Sequence, residues 1–489
     1  MNQEDLDRLR IALIDRPIMI VGGRSVGALS GKTFDVVSPI DGTLLTQIPD
    51  ANSDDVDAAV AVARNTFETG SWAQMAPAAR KKILIKWADL IEANALELAV
   101  LGVRDNGTEI SMALKAEPMS AAGTIRYYAE AIDKIYGEIA PTAAGILGLI
   151  HKEPVGVVGA IVPWNFPMMI AAWKIAPALA MGNSVVLKPS EMASLSVMSM
   201  VALAHEAGFP DGALNVVTGG ATAGQALALS MDVDVLAFTG SVGVGRQLMQ
   251  YAAESNLKRV FLELGGKSPH IVFDDTTDLD AAASSVVNGI FRNAGQVCVA
   301  GSRLIVQRSI HDSFVEKIVT LTTKMRVGDP LKLDTQIGAL NSQAHMHKVL
   351  SMLEGESSIA YGGAQVLAET GGFYMEPTIV TDMGPDDRLV REEVFGPVLT
   401  VTAFDDDAQA IRLANATELG LASGVWTSNL SRAHKMVSAI RAGVVHVNTY
   451  GGADGTVPLG GFKQSGNGHD KSLHAIDKFI NKKTAWIKL

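Results

Sequence analysis

The 489-residue chain has a single cysteine, Cys298. One thiol cannot close an internal disulfide, so disulfide scaffolds and multi-cysteine zinc sites are excluded. Charge is sparse as well: charged residues make up 19% of the chain against 48% hydrophobic. That balance excludes a long disordered protein, which is poor in apolar residues and rich in charge. Positive charge is the scarcer sign, with 41 Lys plus Arg against 52 Asp plus Glu and a formal net charge of −11. Nucleic-acid binding needs clustered Lys and Arg, and an anionic membrane is held by polybasic segments; neither is present. No apolar stretch reaches the roughly 18 residues of a membrane span. The longest, Val155 to Trp164, is too short and carries a proline near its end. Glu4, Asp5 and Asp7 come first, and Asp15 and Arg16 interrupt the apolar patch behind them, so the N-terminus is not a signal peptide. A cytoplasmic protein is expected. Internal repeats and low-complexity tracts are missing too.

Glycine is what the chain has in quantity, 47 residues, spread without a period and often just after strand-like runs. That suits an α/β protein with many tight strand-to-helix turns. The length predicts about three domains.

Residues 1–35 read as a lead-in with short apolar stretches. Apolar spacing predicts helices over Asp50–Glu68, Pro77–Val100 and Met119–Ile135. Tyr136–Pro154 reads as a hairpin that reaches outside its domain. From residue 156, strand-like runs (Val157–Val162, Ser184–Leu187, Leu214–Val217, Val233–Phe238) alternate with helical patterns. Strands buried on both faces and joined by helices predict a doubly wound parallel sheet. A second series after residue 265 predicts another α/β domain, with strands at His270–Phe273, Arg303–Gln307, Val398–Phe404, Ser423–Trp426 and Val444–Asn448. Phe479–Leu489 reads as a terminal strand.

Several short motifs could carry chemistry. Cys298 ends the glycine-containing Gly295-Gln-Val-Cys298 loop after a helical run. A lone cysteine is more often an inert hydrophobe, but here backbone N–H groups can face a substrate oxygen. Glu263 sits between leucines before Gly265 and Gly266; desolvation there would raise its pKa toward that of a general base, whereas a surface glutamate at a strand end is the plainer reading. Asn165, in Pro163-Trp-Asn-Phe-Pro167, is rigidly presented, as an oxyanion donor must be, or marks a simple turn. Lys188 and Glu191 follow the second strand, where an acid can bond the two hydroxyls of a ribose and repel a 2′-phosphate; Glu191 also suits a helix N-terminus. Gly240-Ser-Val-Gly-Val-Gly245 opens a helix whose amides suit a pyrophosphate, though its spacing is not the dinucleotide fingerprint. Glu393 and Phe395 lie in an acidic pair running into a turn. His345 and His347 are expected on the surface, and no cluster makes a metal site.

In this order and spacing, the motifs resemble the NAD(P)-dependent aldehyde dehydrogenase superfamily, from about residue 17 to the end. Tyr128–Glu138 and Gln464–Ala475 are most like the bacterial γ-glutamyl-γ-aminobutyraldehyde and ω-aminoaldehyde dehydrogenases. The resemblance implies an NAD-binding domain (1–135 and 155–264), a catalytic domain (265–463) and a small β oligomerisation arm (136–154 and 476–489). It implies Cys298 as nucleophile, Asn165 with the Cys298 N–H as oxyanion hole, and Glu263 as the base that activates water. Trp164, Lys188, Glu191, Gly240, Ser241, Gly245, Glu393 and Phe395 are the implied cofactor contacts, for NAD with NADP as the alternative. It further implies a homo-oligomer, dimer or tetramer, with a small-molecule aldehyde substrate.

By the same resemblance, Phe166, Met169, Ile170, Trp173, Val297, Val299 and the Tyr450–Leu459 loop line the substrate tunnel. Many relatives carry aromatics at the positions of Ala453 and Leu459; this small loop suggests room for a long aldehyde. Asp454 either attracts an amine-bearing group or caps a turn. Asp470 stands where many relatives have Glu, and His469 where Arg is common, so no second proton-relay role is carried over. A medium-chain aliphatic or aromatic aldehyde is the alternative substrate. A CoA-acylating relative usually lacks the base at Glu263, a non-catalytic member should have lost Cys298 or Glu263, and a cysteine hydrolase needs a paired histidine.

Overall fold

A computed structural model describes residues 1–14, 18–451 and 454–489. Runs of Val, Ile, Leu and Ala form the strands Val157–Ile161, Ser184–Lys188, Leu214–Val216 and Val235–Thr239, and every position in them is buried. Strands buried on both faces need helices on both sides, and the intervening helices supply them. With Arg259–Glu263 they pair in parallel, in the order Arg259–Glu263, Val235–Thr239, Val157–Ile161, Ser184–Lys188, Leu214–Val216. The chain builds outward one way from Val157–Ile161, then returns to add Val235–Thr239 on its other side. The crevice at that switch point, beyond the C-terminal strand ends, is where such sheets bind ligands.

The lead-in is more ordered than its sequence suggests. Gln3–Arg10 is a helix capped by Asn2, and Met19–Val21 and Arg24–Val26 form a hairpin that extends the first sheet antiparallel to Leu214–Val216. Three-residue strands are too short to show a period. The single helix expected over Pro77–Val100 is two, Pro77–Ala93 and Ala95–Asn106. Asn94 turns back its amide to bond the Leu90 carbonyl at 2.8 Å, a local bond that competes with helix continuation. The helix expected from Asp50 runs Ser53–Thr69, started by a reciprocal cap between Asn52 and Asp55.

A second seven-stranded sheet follows the order Ile359–Tyr361, Thr378–Val380, Val398–Phe404, Arg303–Gln307, Pro269–Val272, Ala422–Trp426, Val444–Val447. All its pairings are parallel except that of the edge strand Ile359–Tyr361. The Tyr136–Pro154 region is a hairpin, Glu138–Ala140 against Ile146–Pro154, and the terminal strand Ile480–Lys488 pairs along the whole of the longer arm. Among the described residues, no helix is long and apolar enough to cross a membrane.

Candidate active site

The loop that carries Cys298 follows the helix Leu279–Phe291 and turns through two residues with positive φ, Asn293 and Ala294. Such backbone is costly for non-glycine residues and persists only where its surroundings hold it. Here they do. Both carboxylate oxygens of Glu109 accept from the Asn293 N–H at 3.2 Å, Thr108 donates to the Asn293 side chain, and Gln296 bonds the Asn293 carbonyl at 3.0 Å. The Asn341 N–H donates to Gln296 Oε1. Gly295 has φ +72°, and a Cβ there would lie 2.1 Å from the Gly396 carbonyl, so only glycine lets the loop press against the 392–397 segment.

Asn165 follows Val157–Ile161 and just precedes the helix Pro167–Ala180, whose first residue is a proline that suits that position. It donates one amide hydrogen to the Gln296 carbonyl at 2.8 Å, which fixes the amide beside the cysteine loop. Its second N–H has no acceptor among the described residues, and the Cys298 N–H bonds no backbone carbonyl and faces its own thiol. Two fixed donors next to one thiol are what a developing oxyanion needs.

Glu263 ends the parallel strand Arg259–Glu263. The following glycines bring it to the cysteine: a Cβ on Gly266 would lie 2.3 Å from the Cys298 carbonyl. Glu263 is 7% exposed, and its Oε1 has no hydrogen-bond partner. Burial pushes its pKa well above the usual carboxylate range and the negative charge of Asp470 adds to this, while Lys174 and Lys478 oppose it. Cys298 is half-buried. Burial pushes its thiol up to about 12, with Glu393 and Glu263 adding to the rise and the N–H groups of Val299 and Cys298 pulling against it.

Behind Glu263 lies Asp470, whose two cationic partners the motifs did not reveal. Asp470, 1% exposed, accepts from Lys174 at 2.9 Å and from Lys478. Burial opposes its ionisation, but the two ammonium groups win and hold its pKa below the ordinary value. Asp470 is thus a buried anion clamped by two cations, one from the helix Pro167–Ala180 and one from the segment before the terminal strand.

The switch-point crevice collects the expected cofactor residues. Lys188, at the end of Ser184–Lys188, donates to the Pro189 carbonyl at 3.2 Å and to Glu191 at 3.4 Å. The Glu191 side chain is 41% exposed at the crevice. Ser241 caps the 13-residue helix Val242–Glu254, and a Cβ on Gly243 would meet nothing within 4 Å, so the first-turn amides are open to a phosphate. Gly240 and Gly245 pack instead of opening: their Cβ atoms would lie 2.3 Å from the Phe238 ring and 2.9 Å from Leu264. Glu393 accepts from the Gly266 N–H at 2.9 Å, and burial pushes its pKa up to about 7. Phe395 (φ +57°) and Trp164 meet edge to face at 5.4 Å. An acid for a ribose, open amides for a pyrophosphate and an aromatic pair beside the thiol together fit a dinucleotide. His345, expected on the surface, belongs to this wall: it packs on Trp164 at 5.4 Å and bonds the Phe395 carbonyl at 2.8 Å. Burial lowers its pKa, so it is neutral.

On the other side of the cysteine opens a cavity of about 710 Å³. Phe166, Met169, Trp173, Val297, Val299 and Asp454 line it, as do Tyr127, Tyr450 and Leu459. Ile170, expected on this wall, is not there; it is 2% exposed within the core. The helical period explains this. Phe166, Met169 and Trp173 share one face, and the next residue is turned about 100° away. Asp454 is exposed on the cavity rim and accepts from the Thr456 N–H at 2.8 Å, so it does cap a turn. Ala453 lies outside the described residues. Tyr450 stacks on His270 at 4.6 Å and donates to the Val299 carbonyl at 2.7 Å, which ties the tunnel loop to the residue after Cys298.

The supporting residues Glu109, Asn293, Gln296, Lys174 and Lys478 went unnoticed in the sequence. Only Asn293 and Gln296 carried a local signal, as amides within five residues of Cys298; the rest reach the site through long-range contacts.

Comparison with known proteins agrees with this geometry. A model of the aldehyde dehydrogenase family matches residues 26–485. The chain is 49% identical to the NADP/NAD-dependent aldehyde dehydrogenase PuuC of Escherichia coli K12, over 98% of this chain and 97% of that one. Two solved structures superpose with TM-scores of 0.98 at 49% identity, each covering 100% of both chains. One is the γ-glutamyl-γ-aminobutyraldehyde dehydrogenase of Burkholderia cenocepacia. The other is P. syringae AldA, an indole-3-acetaldehyde dehydrogenase, solved as a mutant with NAD+ and IAA. With a family model over residues 26–485 and relatives 49% identical along nearly its full length, this chain belongs to the aldehyde dehydrogenase family, whose members oxidise aldehydes with NAD(P).

Proposed function

We propose that the protein oxidises an ω-amino- or γ-glutamylamino-aldehyde to the carboxylic acid, with Cys298 as the nucleophile. The observation that carries the mechanism is the placement of Cys298 between the free Asn165 N–H, its own N–H and the unpartnered Glu263 carboxyl. Cys298 releases its thiol proton to solvent as Sγ bonds to the aldehyde carbon, and the carbonyl oxygen becomes an oxyanion held by those two N–H groups. The covalent bond keeps the carbon in place and gives it a hydride to lose, which a free aldehyde lacks. Bound NAD supplies the acceptor for that hydride. Glu263 then takes a proton from the water that attacks the thioester, and the acid leaves with the Cys298 thiol restored.

Trp164, Lys188, Glu191, Gly240, Ser241, Gly245, Glu393 and Phe395 form the cofactor site in this reading. Lys188 and Glu191 hold the adenosine ribose, the amides around Ser241 hold the pyrophosphate, and Glu393 with Phe395 holds the nicotinamide ribose. Residues 1–135 and 155–264 make the cofactor domain and 265–463 the catalytic domain. Residues 136–154 and 476–489 form an arm through which copies associate as a dimer or tetramer. Exposed apolar residues on it, Ile139 at 75% and Trp486 at 66%, support that role.

The likeness to the γ-glutamyl-γ-aminobutyraldehyde dehydrogenase of Burkholderia cenocepacia and the acidic rim residue Asp454 support the aminoaldehyde substrate. The aromatic wall of Phe166, Trp173, Tyr127 and Tyr450, and the equal likeness to an indole-3-acetaldehyde dehydrogenase, favour an aromatic aldehyde as the second reading. Cofactor reduction followed by absorbance separates them. The panel holds 4-aminobutyraldehyde, its γ-glutamyl derivative, a medium-chain aliphatic aldehyde and an aromatic aldehyde, each with NAD and NADP. A preference for the aromatic or aliphatic member overturns the aminoaldehyde reading.

Two further outcomes are expected. Glu263 works as a base only when ionised, and burial holds its pKa well above the usual carboxylate range. The acid limb of the kcat profile should therefore lie well above that range. A limb at an ordinary glutamate pKa contradicts this. Glu191→Ala removes two hydrogen bonds to the ribose and the repulsion of a 2′-phosphate. The NAD-to-NADP ratio of kcat/KM should fall about tenfold or more; an unchanged ratio would release Glu191 from that role.

A further inference from the structure

The tunnel wall carries three charged groups: Asp454, Lys471 and Arg292. Asp454 is already engaged by Thr456 and lies in the field of Lys471. Lys471 lies over the Trp173 ring at 5.5 Å and is influenced in turn by Asp454. Their charges offset one another. Arg292 is different. It is exposed and makes no hydrogen bond or ion pair among the described residues. Glu109, an acidic neighbour, spends both carboxylate oxygens on the Asn293 N–H.

Arg292 is also well placed. It stands between Phe291, anchored in the core, and Asn293, held by Glu109, six positions before Cys298. It lines both the tunnel and an adjoining cavity of about 470 Å³, which share Met112, Ala116, Ser120 and Asn288. The adjoining cavity adds Lys115, another cation, while its acid, Glu109, is buried and turned to the backbone. The wall where the two cavities share residues is thus net positive, in a chain whose net charge is −11. A guanidinium with five donors and no partner is suited to a carboxylate, which it can hold through two parallel bonds.

Building on aldehyde oxidation at Cys298, we propose that Arg292 is a specificity-determining residue that binds a carboxylate at the far end of the substrate. The preferred aldehydes then carry an anionic or zwitterionic end, such as an ω-oxo acid or an α-amino acid linked through its side chain. An amine alone is not enough. The γ-glutamyl derivative of 4-aminobutyraldehyde meets this demand, whereas 4-aminobutyraldehyde does not.

The test compares 6-oxohexanoate with hexanal, equal in chain length and different in the terminal carboxylate, in full-length enzyme with NAD. The readout is the ratio of their kcat/KM values. Arg292→Gln should lower that ratio about tenfold or more, the usual size of a lost charge-assisted pair, chiefly through KM. Arg292→Lys should restore part of it, since the charge returns without the fork. Added salt should lower the ratio in the parent enzyme and leave it unchanged in Arg292→Gln. An unchanged ratio in Arg292→Gln, or a parent that oxidises hexanal and not 6-oxohexanoate, overturns the proposal and leaves the reaction standing. No cofactor reduction with either aldehyde, or with the γ-glutamyl derivative, would count against the reaction itself.

Discussion

Cys298→Ala is expected to bring cofactor reduction to the detection floor, a loss on the order of 10³-fold or more, as for removal of a covalent nucleophile. Fold and cofactor binding should survive. Cys298 is half-buried, no hydrogen bond from its thiol holds another element, and the loop is fixed by Asn293 and Gln296. The thermal midpoint of the variant should therefore stay close to that of the parent. Because the chain has one cysteine, a thiol reagent reads this site alone. The reactive form is the thiolate, and the thiol's pKa is pushed up to about 12. Alkylation of the cofactor-free enzyme should thus be slow at neutral pH and still rising in alkaline solution. Fast labelling that levels off near neutrality would show that something unseen in the site stabilises the thiolate. Residual turnover in Cys298→Ala would remove the covalent mechanism.

The second large effect is on stability. Asp470→Asn leaves the ammonium groups of Lys174 and Lys478 buried without the anion they bond. Removing one partner of a buried ion pair costs about 3–5 kcal/mol, and here one anion serves two cations. Denaturant unfolding should show a loss at least in that range at neutral pH. The sign of its pH dependence follows from the lysines. Unpaired and buried, they hold protons less tightly in the folded state than in the unfolded one. The unfolded chain then binds more protons, so the stability of the variant rises with pH and its deficit narrows toward pH ~10. The variant also removes a charge that raises the pKa of Glu263 while both opposing lysines remain. Its kcat profile should shift its acid limb downward. A variant as stable as the parent at every pH would mean that the lysines do not depend on Asp470.

The two results separate chemistry from architecture in one small region. Cys298 is costly to lose only in turnover, because nothing structural rests on its sulfur. Asp470 is costly to lose in folding, because three elements meet at its carboxylate. Such a triad need not add net stability over an apolar replacement; its effect here is to set the charge around Glu263.

The sheets were legible from local pattern. Arg303–Gln307 and Val398–Phe404 appear with the bounds their apolar runs predict, since a strand buried on both faces needs a continuous run. Elements with weak periodicity were lost: Met19–Val21 is too short, and the helix over residues 77–100 breaks at Asn94 because of one side-chain bond. Cys298, Glu263 and Asn165 could be picked out because each lies in a short motif with its own backbone demands. Met169 and Ile170, adjacent in sequence and alike in chemistry, could not be told apart until the helix had a fixed rotation about its axis.

The sequence by itself determined the α/β class, the doubly wound sheet, the family and the candidate nucleophile, base and oxyanion donor. These depend on residue periods and on motifs a few residues long. The tertiary structure alone decided which side chains surround them. Lys174 and Asp470 are 296 positions apart, and Asn165 and Gln296 are 131 apart. No local pattern encodes such a meeting; it follows from how the packed elements cross. The charges that set the Glu263 pKa, the His345 ring beside Phe395 and the unpaired Arg292 on the tunnel wall belong to that second kind, because burial and pairing are properties of neighbours in space.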